Sequence, residues 1–167
     1  VSLGQFQPGR IDHHAPQIVI LVFMFAFSLQ ALEVGRSRYA GLAGALAALS
    51  LGISIENLTF IVALSGFWLL LWAAKGEEFR KPLRAYGLGL LAMLPVIFLG
   101  TIGRDRWMAV ACDAFSPAYL FPFAALGSGC VFLSHIRNQS IHARLFFATS
   151  ISLATCAIFV IFFPQCL

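Results

Sequence analysis

The chain has 167 residues, of which 60% are hydrophobic and only 11% charged, and its mean hydropathy is +0.88. Soluble domains are about 45–50% apolar and about 25% charged, so this composition excludes a soluble enzyme, a disordered tail and a nucleic-acid module. The net charge of +4 then reads as a topology signal at a membrane surface.

Residues 1–15 are polar and turn-like and carry no secretory signal. Beyond them, six apolar stretches approach the roughly 17–25 residues that a bilayer-crossing helix requires: 16–32, 39–55, 58–74, 85–101, 117–134 and 145–163. Every charged residue falls outside these stretches. The sequence therefore predicts an all-α, polytopic transmembrane bundle of about six spans with short loops, forming one domain over 1–167.

The loops alternate between two faces. One face carries Arg36, Arg38, Lys75, Arg80, Lys81, Arg84, Arg137 and Arg144 against Glu33, Glu77 and Glu78. The other carries Arg10, Arg104 and Arg106 against Asp12, Glu56, Asp105 and Asp113. The positive-inside rule puts the first set in the cytoplasm, which makes a multi-pass plasma (inner) membrane protein with both termini extracytoplasmic.

Within the spans, Ala40, Gly44, Ala48 and Gly52 recur every four residues, a small-residue stripe that lets another helix approach closely. Pro95 and Pro122 are expected to kink the fourth and fifth spans. Tyr39, Trp72 and Tyr86 near one face, and Trp107 and Tyr119 near the other, read as interfacial rings. Met108–Ala111 suggests a short surface helix. Cys112 and Cys166 share the outer face and can pair if that side is oxidising, whereas Cys130 and Cys156 read as packed thiols.

The segment Gly9-Arg10-Ile11-Asp12-His13-His14-Ala15-Pro16 precedes the first span. Pro16 suits a first helical turn, so Asp12 to His14 lie in the turn entering a helix N-terminus, where free N–H groups attract anions. Asp12 and His14, two apart, can reach one divalent ion, and Arg10 adds a phosphate-seeking group. The plainer alternative is that Asp12 caps the helix and the histidines sit at the interface. Glu56, in a tight outer turn, reads as a metal ligand, a base or a helix cap. In the outer loop 103–117, Arg104 and Arg106 are candidate phosphate contacts, and Asp113 can join a metal site. The sequon Asn57-Leu58-Thr59 lies flush with the bilayer and is expected to stay unmodified.

At Arg10-Ile11-Asp12-His13-His14 the chain resembles GT-C type membrane glycosyltransferases, above all the oligosaccharyltransferase catalytic-subunit group and related bacterial membrane proteins. Ser54-Ile55-Glu56-Asn57-Leu58, Cys112-Asp113-Ala114-Phe115-Ser116-Pro117 and Phe163-Pro164-Gln165-Cys166-Leu167 look like further segments of those bacterial relatives. The resemblance implies sugar transfer from a polyprenyl-phosphate-linked donor to an acceptor on the outer face, with Mg²⁺ or Mn²⁺ held by Asp12 and His14 and with His13 between them. It also implies an acidic base, for which Glu56 and Asp113 are the candidates. The family's earlier acidic loop, later acidic motif and large C-terminal region have no counterpart here, so the chain reads as an internal piece of such an enzyme. A transporter segment and a structural membrane subunit remain alternatives, and the latter predicts that Asp12, His14 and Glu56 point apart.

Overall fold

A chain with few polar side chains must satisfy its backbone locally, and the helix does this within one segment. The computed structural model describes residues 14–33, 36–137 and 139–166. Every regular element among them is helical: α1 (His14–Gln30), α2 (Ser37–Ile53), α3 (Leu58–Lys75), α4 (Arg80–Thr101), α5 (Pro117–Leu133) and α6 (Ile141–Phe162), with short 3-10 turns between. The expected all-α fold class therefore holds. Two helical stretches, Ile55–Thr101 and Ile141–Phe162, are long and apolar enough to cross a membrane. The first doubles back on itself. The Ser65 and Tyr86 hydroxyls meet at 2.8 Å, whereas 21 residues of continuous helix would hold them about 30 Å apart.

That reversal is local chemistry. Gly76 ends α3 at φ +63°, the left-handed conformation that glycine adopts without a Cβ penalty. A 3-10 turn, Gly76–Phe79, follows, and Pro82 sits in the first turn of α4, where its missing N–H costs nothing. Pro117 opens α5 in the same way, and the Ser140 hydroxyl caps α6 by accepting from the Ala143 N–H at 3.3 Å.

Helix α4 is the hub, packed between α2 and α5; α1 lies on α2, and α6 leans on α5 and α3. The α2 stripe serves this crossing. Cβ atoms added at Gly44 and at Gly89 would collide with the carbonyl oxygens of Tyr86 and Gly41, so the α2 and α4 backbones touch. The core contains Met24, Leu51, Trp68, Trp72, Tyr86, Leu90 and Leu133. The outer surface is apolar on every side: Val22, Leu29, Leu70, Leu153 and Ile161 are each 61–69% exposed, and Ala148 is the sole buried residue of α6.

Several expectations need correction. Trp72, Tyr86 and Tyr119 are core residues rather than interfacial rings, because they continue the inward faces of their helices; Tyr119 also donates to the Cys112 carbonyl at 2.5 Å. Residues 108–111 are not helical; the helical turn of the loop 103–117 is instead Arg104–Arg106. The loop is pinned there by its own side chains, with Trp107 Nε1 donating to the Ile102 carbonyl at 3.1 Å. Cys130 is buried, but Cys156 is exposed on α6. Pro95 and Pro122 lie inside helices that run through them.

Candidate functional site

At one end of the bundle, α1 and α3 begin while α2 and α4 finish, and a buried polar cluster ties three of these ends together. Gln17, one turn into α1, donates from Nε2 to the Ser50 and Ser54 carbonyls at 3.0 and 2.9 Å. Its Oε1 accepts from the Ser50 hydroxyl at 2.9 Å and from Asn57 Nδ2. Asn57 Nδ2 also reaches the Gln17 carbonyl and the Ser50 hydroxyl, each at 3.1 Å. Buried amides in an apolar bundle are costly unless paired, and here each satisfies the others. The Asn57 amide is thus committed inside the protein, consistent with a sequon that stays unmodified.

The cluster fixes the turn 54–57 against the start of α1. The Ser54 hydroxyl caps the turn by accepting from the Glu56 N–H at 3.3 Å. The Glu56 carboxylate then meets His14, with 3.0 Å between Oε2 and Nδ1. His14 is already helical and not in the turn before α1. Residues Arg10, Asp12 and His13 lie outside the described residues.

Beside this pair opens a cavity of about 850 Å³, between the ends of α2 and α4 and the loop 103–116. Glu56, Asp105, Arg106 and Asp113 line it, with Ser54 and Ser116. Arg104 does not line it; the residue is exposed. Arg106 Nε lies 3.8 Å from Asp105 Oδ2, with both side chains about 80% exposed, so the pair adds little stability. The structure thus gathers Glu56, Arg106 and Asp113 at one mouth, joins His14 to them through Glu56, and leaves Arg104 aside.

The loop that roofs the cavity is held at several points. Ser116 Oγ donates to the Ala111 carbonyl at 2.7 Å, and Cys112 forms a disulfide with Cys166, their Cα atoms 5.1 Å apart. This bond links the loop to the end of α6 across 54 residues of sequence. Its removal in the C112S/C166S double variant is expected to cost about 2 kcal/mol, the lower end for such links, because the loop's other hydrogen bonds remain. Thermal unfolding and limited proteolysis check this: the melting midpoint falls by several degrees, and new cleavage maps within 103–116. An unchanged midpoint and cleavage pattern would show that the other hydrogen bonds suffice.

A divalent ion was expected from the resemblance. Among the described residues no three His, Cys, Asp or Glu side chains converge as a metal group. His14 and Glu56 do place one imidazole nitrogen and one carboxylate oxygen in contact, a donor pair that suits Mn²⁺ at least as well as Mg²⁺. Gln17 and Ser50 were not singled out from the sequence, and Asn57 was read only as part of a sequon and of the Ser54–Leu58 segment, although polar residues in or beside apolar spans are the signal that marks the cluster. No family model, curated protein or solved structure matches the chain.

Proposed function

We propose that this chain is the membrane-embedded, donor-binding segment of a metal-dependent glycosyltransferase that uses a polyprenyl-phosphate-linked sugar on the extracytoplasmic face. Its helices of 17–22 residues rise about 25–33 Å, matching a hydrocarbon core of about 30 Å. Their apolar outward faces suit lipid on all sides, which supports six spans. The excess of basic residues at the end opposite the cavity supports that end as cytoplasmic.

The observation that carries the catalytic reading is the His14–Glu56 contact at the mouth of the outer cavity. A structural subunit with no site predicts side chains that point apart. His14 and Glu56 would hold the ion, with Asp12, two residues earlier in sequence, as a third ligand. When bound, the ion supplies positive charge to the departing phosphate. Arg106 binds phosphate oxygens from the cavity wall. Asp113, across the same cavity, accepts the proton of the acceptor's nucleophilic group. The Gln17–Ser50–Asn57 cluster acts indirectly, by holding the Glu56 turn to α1.

The test uses the full-length protein in membranes, with a radiolabelled polyprenyl-phosphate sugar. Asp12→Ala and His14→Ala are expected to lower transfer at least 100-fold while leaving membrane insertion and helix content unchanged. Chelation is expected to abolish wild-type transfer, with recovery on adding Mn²⁺ or Mg²⁺. Undiminished transfer by both variants would overturn the assignment.

A further inference from the structure

The opposite end of the bundle holds a second cavity, of about 270 Å³, where α3 finishes and α6 begins. Trp72, Lys75, Gly76, Glu77, Gln139 and Arg144 line it. Two of these carry buried donors. Trp72 is fully buried, and neither its Nε1 nor Arg144 Nε has a hydrogen-bond partner among the described residues. An unpaired N–H is expensive in an apolar interior. The Arg144 guanidinium lies over Gly76, where any added Cβ would collide with it, so the glycine makes room for that group. The carboxylate on this wall, Glu77, is engaged by Arg80 at 2.5 Å.

The chemistry of the lining selects its ligand. An indole N–H, a guanidinium and an ammonium offer donors and no acceptor. A cation finds little here, whereas an oxyanion meets two positive charges on a wall that also carries the buried, unpartnered indole of Trp72. The first turn of α6, flanked by Gln139 and Arg144, adds partial positive charge. We propose that this cavity is a phosphate-binding site formed by Trp72, Lys75 and Arg144, separate from the outer cavity. Basic pockets between membrane helices at the cytoplasmic side take phospholipid headgroups. The lipid source rests on the membrane reading above, while a soluble phosphate fits the same donors without it.

Two measurements on the full-length protein distinguish the sources. In the first, the protein is reconstituted in nanodiscs of phosphatidylcholine containing one-fifth phosphatidylglycerol, then released for native mass spectrometry. In the second, inorganic phosphate is titrated calorimetrically into the detergent-solubilised protein. Retention of phosphatidylglycerol over phosphatidylcholine supports a headgroup site; phosphate binding without lipid preference supports a soluble ligand. In whichever assay is positive, Arg144→Gln is expected to weaken binding about tenfold or more. Trp72→Phe, which keeps the ring and removes the N–H, is expected to weaken it several-fold. A folded Trp72→Phe protein that binds as wild type does, or binding in neither assay, overturns the site. Failure of the protein to enter nanodiscs would instead count against the membrane reading, and the phosphate titration would still decide the site.

Discussion

Gly44→Val is expected to prevent stable folding, or to cost about 3 kcal/mol or more, whereas Gly66→Ala is expected to be neutral or stabilising. The contrast comes from what an added side chain meets. At Gly44 a Cβ runs into the Tyr86 carbonyl oxygen and lies 3.0 Å from the Leu90 nitrogen; at Gly89, on the facing helix, it runs into the Gly41 carbonyl. These obstacles are backbone atoms of regular helices and cannot rotate away, so the helices must separate along the hub of the bundle. Overpacking alone costs about 1–3 kcal/mol, and the lost α2–α4 packing adds to it. At Gly52 the obstacle is the Cγ2 of Ile97, which can move, so Gly52→Ala is expected to cost less than Gly44→Ala. At Gly66 nothing lies within 4 Å, and alanine there gains up to about 1 kcal/mol of helix propensity. Circular-dichroism melts in detergent rank the four variants. Equal midpoints for Gly44→Val and wild type would show that α2 and α4 do not make this close contact.

The α2 half of that crossing was legible in the sequence, since small residues every four positions form one stripe. Its partner was not, because among the small residues of α4 only Ala85 and Gly89 make the matching approach to α2, a single four-residue step, while nearby Gly87 packs against α5 instead, and only the tertiary fold shows which helix the stripe meets. The helices themselves were legible because charge is confined to the loops and the end turns of the helices, which fixes their ends to within about five residues; α4 and α6 begin earlier than expected because their first turns carry Arg80, Lys81, Arg84 and Arg144. The aromatic residues were misread because nearness to a helix end says nothing about helix face. Ser65, Trp68 and Trp72 follow one another at three- and four-residue steps, which marks an inward face, and all three are buried. In the site, Glu56 and Asp113 stood out as carboxylates in outer loops, but the contact of Glu56 with His14 spans 42 positions of sequence and has no local signal. Arg104 and Arg106 look equivalent in sequence. Two residues apart in a 3-10 turn of three residues per turn, they point in different directions, and only Arg106 reaches the cavity.

Gln17→Leu is expected to lower stability by about 2 kcal/mol and, on the proposed function, also to reduce sugar transfer, although Gln17 lines no part of the cavity beside Glu56. Leucine is close in size and removes both the amide donor and the acceptor. Asn57 Nδ2 and the Ser50 hydroxyl then lose their shared acceptor, Gln17 Oε1. Their losses are unequal in kind. Asn57 keeps the Gln17 backbone carbonyl at 3.1 Å, and the Ser50 carbonyl keeps the Ser54 N–H at 3.1 Å, whereas the Ser50 hydroxyl loses the Gln17 Oε1 that accepts from it. Each unpaired buried group costs about 1–3 kcal/mol in a soluble protein. Hydrogen bonds between membrane helices average nearer 0.6 kcal/mol, with a maximum of about 1.7, because helices separated in lipid find other partners. With the bundle in a membrane, as proposed, two disturbed groups sum to about 2 kcal/mol rather than 5. The functional loss follows from geometry, since Gln17 joins α1 to the turn carrying Glu56, and His14 lies one helical turn before Gln17. The measurements are a melt in detergent and a transfer assay on the full-length protein below its midpoint, where the variant is fully folded. Gln17→Glu restores an acceptor to Asn57 and Ser50 but not the donor to the Ser50 and Ser54 carbonyls, so it is expected to fall between leucine and wild type in both. A leucine variant that melts lower yet transfers sugar at the wild-type rate would show that the cluster only braces the bundle and does not set the position of His14 against Glu56.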